Sequence, residues 1–291
     1  METSELLKKV RKIEIRTRGL SKQIFSGEYH SAFKGRGMTF SEVREYQHGD
    51  EIRTIDWNVT ARFSHPYVKV FDEERELTVM LLVDMSGSEK FGTERRFKRE
   101  LITELCAVIA FSAIQNNDKI GIIFFSDQVE KYIPPKKGKS HILRIIRELI
   151  HFTPENSGTN IAEALRYMNN IIKKRSIVFV LSDFEDQGFE DDLKLASRRH
   201  DTVALKIIDK RELEMPDLGL IHTVDAESGQ SLWVDTGSRK VREEYNRNRL
   251  EKSTELNNIL KRSKVDSVEL FTDESYVSPL MNFFKGRGKR K

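Results

Sequence analysis

The chain has a single cysteine, Cys106, in 291 residues. A disulfide framework is excluded, and with only seven scattered histidines so is a cysteine-based zinc site. Six prolines leave no Pro-rich linker, and the sequence carries no internal repeat. No apolar run approaches the length of a membrane span; the longest, Leu105 to Ile114, contains Ser112 and is flanked by charge, as a buried helix would be. The first residues, Met-Glu-Thr-Ser-Glu, are acidic where a signal peptide is basic, so a cytoplasmic address is expected. There is no Gly-x4-Gly-Lys-Ser/Thr phosphate loop, and Gly35-x-Gly37 lacks both a preceding strand and a third glycine. Charge of one sign is also scarce once it is located. Lys285, Arg287, Lys289, Arg290 and Lys291 supply five positive charges to an overall +4, leaving about −1 on the other 284 residues. The excess sits in a tail expected to fray, so neither a basic groove nor a specific nucleic-acid partner is expected.

What is present is 38% hydrophobic and 33% charged residues, enough for a sizeable soluble core. Leu6, Val10 and Ile13 recur at helical spacing over residues 4–16. From Gly19 to Pro66 the periodicity fades into glycine-punctuated, charge-dense sequence that predicts turns and short extended pieces. After Tyr67 to Phe71, an alternating strand, the pattern changes. Leu77 to Val83 is an apolar run of strand length ending at Asp84, and strands then alternate with amphipathic helices. Phe97, Leu101, Leu105, Val108 and Ile109 mark a long helix. Strands follow at Ile120 to Phe125, with a short partner at Val129 to Ile133, and at Ile177 to Leu181, Thr202 to Ile208 and Ser267 to Phe271. Helices are expected around 142–150, 161–172, 189–199 and 238–263, and a hairpin from Ile221 to Val234. Such alternation predicts an α/β fold, a mostly parallel sheet with helices on both faces. We therefore expect an N-terminal extension over 1–75, the α/β domain over 76–275, and a closing helix with basic tail over 276–291.

In open parallel sheets ligands gather beyond the carboxyl ends of the strands. Three such positions carry short oxygen-bearing side chains: Asp84-Met85-Ser86-Gly87-Ser88, Gly158-Thr159-Asn160 and Ser182-Asp183. Asp84, Ser86 and Ser88 stand at alternate positions as the chain leaves a strand, and Gly87 frees the backbone to turn there. Carboxylates and hydroxyls are hard donors that suit Mg²⁺, with Mn²⁺ or Ca²⁺ as alternatives. Asp84 and Asp183 would balance a divalent cation, while Ser86, Ser88 and Thr159 add neutral oxygens. The competing reading is helix capping, for which the same residue types are favoured. Capping outweighs chemistry for any one motif alone; the three together favour a metal site.

In order and spacing these loops resemble the metal-ion-dependent adhesion site of von Willebrand factor A domains, on a von Willebrand factor A-like, Rossmann-like fold. The resemblance implies a Mg²⁺ site used for binding, with Asp84, Ser86, Ser88, Thr159 and Asp183 as ligands, some through water. The stretch from Gly35 through Arg62, including Glu42-Val43-Arg44-Glu45-Tyr46-Gln47-His48-Gly49-Asp50 and Ile55-Asp56-Trp57-Asn58, closely resembles the signature of the "domain of unknown function 58" family. So does Val70-Phe71-Asp72-Glu73-Glu74-Arg75-Glu76; Met38 and Thr39 depart from the usual pattern away from the metal loops. That resemblance implies company: MoxR-type AAA+ ATPases and other von Willebrand A-type proteins, with which such chains act as adaptors in maturation or assembly. No membrane association is expected except through partners.

Within the signature, Arg44, Arg53 and Arg62 among Glu42, Glu45, Asp50, Glu51 and Asp56 predict forked ion pairs fixing an irregular segment, with Trp57 as a buried anchor; a partner-contact surface is the other reading. His48, His65, His141 and His151 are expected to be ordinary surface or hydrogen-bonding residues. The leading expectation is a Mg²⁺-dependent protein-interaction module that grips a partner carboxylate and is not an enzyme. The alternative is a metal-dependent phosphoester hydrolase, against which stands the lack of an evident base or nucleophile beside the alcohols. Tyr276, Leu280, Phe283 and Phe284 are expected to form the core face of the closing helix rather than a membrane foot.

Overall fold

A computed structural model describes residues 39–72, 77–90, 97–224 and 229–290, together with Ile13, Glu14, Thr17, Gly19, Leu20 and Ile24. The helix expected over 4–16 lies outside the described residues apart from Ile13 and Glu14, which are helical. Two compact units result: Lys34–Leu77, and Met1–Phe33 with Thr78–Lys291.

In the first unit, β1 (Thr39–Glu45) pairs antiparallel with β2 (Tyr67–Asp72). Between them lie a single 3-10 turn and a short helix, α1 (Trp57–Phe63). Asp56 starts that helix by accepting from the backbone N–H of Asn58 and Val59, and Ser64 ends it in the left-handed conformation. Arg44 forms the expected fork, at 2.8 and 2.7 Å from the two oxygens of Asp50, and pins the 46–50 turn to its own strand. Two expectations fail here. Arg53 only reaches 4.0 Å from Glu51, with both side chains mostly in water. Trp57 is 67% exposed, because it occupies the first turn of a two-turn helix whose inner side is supplied by Val59 and Thr60.

The second unit is built on a six-stranded sheet. Its strands are β3 (Thr78–Asp84), β4 (Lys119–Phe125), β5 (Val129–Lys136), β6 (Ile177–Ser182), β7 (Asp201–Ile208) and β10 (Asp266–Phe271). They lie in the order β10-β7-β6-β3-β4-β5, all parallel except the β5 edge. Strands β8 (Leu220–Val224) and β9 (Ser231–Asp235) form the expected separate hairpin. The α/β reading with a mostly parallel sheet is therefore correct. Gly121 has its place on β4 because an added Cβ would lie 2.8 Å from Pro135 N and 2.9 Å from Ile133 O, where β5 crosses closely.

Helices cover both faces. On one, Met80, Leu82, Val178, Val180 and Ala204 pack against α4 (Ile161–Ile171), α5 (Glu190–Arg199) and α7 (Arg239–Arg262). On the other, Phe179 meets Phe284 of α8 (Val277–Arg290) and Phe124 stacks on Phe152, which follows α3 (Lys139–His151). The long helix α2 (Lys98–Gln115) is buried at thirteen of its eighteen positions, so it is a core helix on nearly every side. Cys106 lies within it, and burial pushes its thiol well above the ordinary value. The basic tail does not fray as expected: α8 continues through Arg290, and buried Arg287 reaches Asp201 and Asp266. Among the described residues no helix is long and apolar enough to cross a membrane.

Candidate functional site at the sheet's carboxyl edge

The chain runs from β3 outward to β4 and β5, then returns to place β6 on the opposite side of β3. The strand order thus reverses between β3 and β6, and such switch points open a crevice at the strand ends. Asp84 is the last residue of β3, Ser182 is the last of β6, and Asp183 follows it.

Backbone hydrogen bonds draw three loops together there. Met85 N donates to Phe125 O and Gly87 N to Ser157 O, both at 2.8 Å. Asn160 N donates to Ser126 O at 2.8 Å, and Ile161 N to Asp186 Oδ2 at 2.7 Å. Side chains complete the join. Asp84 Oδ1 accepts from Ser86 N at 2.9 Å and Asp84 Oδ2 from the Ser182 hydroxyl at 2.6 Å. Ser86 Oγ and Ser88 Oγ are 3.0 Å apart, and the Ser88 hydroxyl lies near enough to the Asp183 carboxylate to favour its charged form. Asp84, Ser86, Ser88 and Asp183 therefore form one connected cluster. Thr159 lies half-buried on the middle loop, two residues from each of the bonds made by Ser157 and Ile161.

The third loop turns sharply. Phe184 adopts φ 60°, unusual for a bulky residue, and its N–H donates to Ser182 Oγ at 3.0 Å while its ring packs against Phe189. This aims Asp183 back toward β3. Asp186 caps the start of α4. A cleft of about 330 Å³ opens beside this loop, lined in part by Asp183, Phe184, Lys206, Glu212, Arg249 and Leu256.

The two aspartates sit in different electrostatic settings. Asp84 is fully buried; desolvation first, and the neighbouring Asp183 charge second, push its carboxyl up to about 7. Burial acts the same way on Asp183, but the Lys98 ammonium outweighs it and holds that carboxyl below its ordinary value. Lys98 Nζ lies 2.9 Å from Asp183 Oδ2 and 2.6 Å from Glu212 Oε1. Three carboxylates and one ammonium leave two negative charges when all are ionised, the amount a divalent cation neutralises. Among the described residues no group of three or more His, Cys, Asp or Glu side chains is arranged to hold a metal. Any cation here relies on two carboxylates supplemented by hydroxyls, a hard, oxygen-only set that fits an ion keeping part of its water shell, as Mg²⁺ does.

Comparison with known proteins bears on family and fold. Residues 42–255 match the family described as "Protein of unknown function DUF58". The chain belongs to that family. An uncharacterized protein of Mycobacterium bovis, Mb1516, is 26% identical over 292 aligned residues, covering 99% of this chain and 91% of its own length. An uncharacterized protein of Bacillus subtilis, YeaD, is 28% identical over 109 residues, 38% of this chain and 25% of its own. Among solved structures, an aerotolerance-related membrane protein from Bacteroides fragilis is similar at a TM-score of 0.50 and 15% identity, covering 74% of this chain and all of that one. That likeness concerns the fold alone.

Within this member of the family, sequence reasoning missed Lys98, Glu212 and the bond from Ser182 to Asp84. It took Phe97 as the start of the α2 stripe. The structure instead puts Phe97 at the N-cap, 53% exposed, and buries Lys98 completely. The signal was legible: Lys98, Leu101, Ile102 and Leu105 follow i, i+3, i+4, i+7, so a lysine stands on the core face. His141 bonds Ile120 O at 2.9 Å through Nε2, in keeping with a hydrogen-bonding histidine.

Proposed function

We propose that this protein is a Mg²⁺-dependent protein-interaction module of von Willebrand factor A-like fold, a cytoplasmic adaptor for a MoxR-type AAA+ ATPase, and not an enzyme. The observation that carries the reading is the cluster at the switch point: Asp84, the last residue of β3, and Asp183, just past the end of the adjacent strand β6, are linked through Ser86, whose backbone N–H donates to Asp84, and Ser88, whose hydroxyl meets that of Ser86 and lies beside Asp183. The strand order with one antiparallel edge supports the finer fold assignment.

Asp84, Ser86, Ser88, Thr159 and Asp183 would hold the ion. When bound, a divalent cation supplies an electrophilic charge that an acidic side chain of a partner can join. The protein's own residues do the remainder. Ser182 orients the Asp84 carboxylate, the Phe184 turn orients Asp183, and the three interbonded loops keep the donors in place without substrate. Lys98 does not supply the hydrolase reading with a base or nucleophile, because its ammonium is wholly buried between two carboxylates.

The test is a pulldown from native lysate with and without EDTA, repeated with Asp84→Ala. Partners lost under both treatments, an ATPase of the MoxR type among them, support the adaptor. Partners retained under both remove the metal from the mechanism. Hydrolysis of phosphate esters that is abolished by Asp84→Ala would favour the hydrolase instead.

A further inference from the structure

A lysine with no solvent exposure is rare, since taking an ammonium out of water is costly unless the charge is met inside. Two carboxylates from separate elements meet Lys98. Asp183 follows β6. Glu212 lies in α6 (Lys210–Leu213), a single helical turn after β7, where its other oxygen accepts from Asp209 N at 3.2 Å and closes a capping box. Glu212 is thus anchored independently of Lys98. The Nζ atom sits between the two at 2.9 and 2.6 Å, and one of them, Asp183, is a carboxylate of the candidate site.

An ammonium on Asp183 and a divalent cation on Asp183 exclude each other in part, because both draw on the same negative charge and repel one another across it. We propose that Lys98 is an internal cation that competes with the divalent ion for Asp183, and that Glu212 is the seat to which its ammonium withdraws when the ion binds. This rests on the reading that Asp84 and Asp183 hold a divalent cation, and it adds that the affinity is set by an exchange built into the protein. Lys98 and Glu212 are positioning residues: neither touches the partner, and Glu212 acts through Lys98.

The exchange makes predictions of opposite sign for the two side chains. Lys98→Met leaves Asp183 without its competitor, so affinity for Mg²⁺ rises. Glu212→Gln deprives the ammonium of its alternative seat, so Lys98 holds Asp183 more firmly and affinity falls. Each change is expected to be about tenfold, the scale on which partners of metal ligands act. A general field effect would give the same two signs. The double variant separates them: once Lys98 is gone, Glu212→Gln has little left to act through, whereas a plain loss of negative charge lowers affinity equally in either background.

The experiment is calorimetric titration of Mg²⁺ alone into the full-length wild type, Lys98→Met, Glu212→Gln and the double variant. The expected result is higher affinity, lower affinity, and a double variant matching Lys98→Met. An equal effect of Glu212→Gln in both backgrounds, or wild-type affinity in either single variant, overturns the exchange while leaving the metal site standing. Absence of Mg²⁺ binding in all four proteins overturns the metal site itself. Should Lys98→Met fail to fold, Lys98→Gln replaces it in both the single and the double variant, and unchanged or raised affinity in Glu212→Gln, whose amide oxygen preserves the capping bond, overturns the proposal in any case.

Discussion

Two aspartate ion pairs, one in each unit of the chain, have nearly the same geometry and very different surroundings. Arg44 meets Asp50 at 2.7 Å, with 38% and 20% of the side chains exposed. Lys98 meets Asp183 at 2.9 Å, with 0% and 6% exposed. The first pair exchanges water for a partner at little net gain, because solvent screens it. In the second, Lys98 has no water to return to and Asp183 little, so removing one partner leaves the other poorly solvated. Distance does not rank these pairs; access to solvent does. The charge-dense 34–77 unit is the more conspicuous in sequence, yet the charges that matter most to structure are the few hidden at the strand ends.

The comparison is broken most directly at Lys98. Lys98→Ala is expected to cost about 3–5 kcal/mol of stability in EDTA, measured by urea unfolding, with part recovered on adding Mg²⁺. A loss near that of an ordinary surface substitution would show that Asp183 and Glu212 reach water after all.

The next effect lies in pH. The Asp84 carboxyl is pushed up to about 7 from an ordinary 3.8, so between those values the native protein keeps a proton that the unfolded chain has released. Stability from this residue is therefore highest below the window and falls as pH rises through it. His200, drawn down to about 4 by burial, acts in the opposite sense over an overlapping range, because there the unfolded chain binds the extra proton. The useful quantity is the difference between wild type and Asp84→Asn, in which His200 cancels. In EDTA the variant should gain on wild type as pH rises from 4 to 7, and the two curves should run parallel above that. A constant difference across the range would mean that Asp84 is not a strained carboxylate.

The smallest effects belong to the 34–77 unit. Arg44→Ala should shift the unfolding midpoint far less than Lys98→Ala does, and the shift should shrink further in high salt. Trp57→Ala, at an exposed position, should stay within about 0.5 kcal/mol of wild type. A large loss there would restore the aromatic to the anchoring role its sequence context suggests.

How much was legible follows the same division. Strands β3, β4 and β6 are nearly continuous apolar runs because both faces are covered, and so they stand out in the sequence, as does β7 despite Lys206 within it. Asp84, Ser86, Ser88, Thr159 and Asp183 are legible as candidates because each follows a strand or opens a helix, where the fold dictates a turn. Lys98 is not legible from composition, since a lysine among Arg95, Arg96, Arg99 and Glu100 reads as a solvated helix start. Only its register with Leu101, Ile102 and Leu105 betrays it. Trp57 misleads for the converse reason: its size predicts burial, but a seven-residue helix has little inner face to offer. Glu212 could not have been found at all, because its role depends on where β7 ends relative to β6, which is a property of strand order.

The central claim is that the strand-end oxygens around Asp84 and Asp183 hold a divalent cation. Calorimetric titration of Mg²⁺ into the EDTA-stripped, dialysed full-length protein tests it most directly, with Asp84→Ala alongside. A single saturable site in the wild type and no binding heat in the variant are expected. Equal binding in both proteins, or none in the wild type, would contradict it.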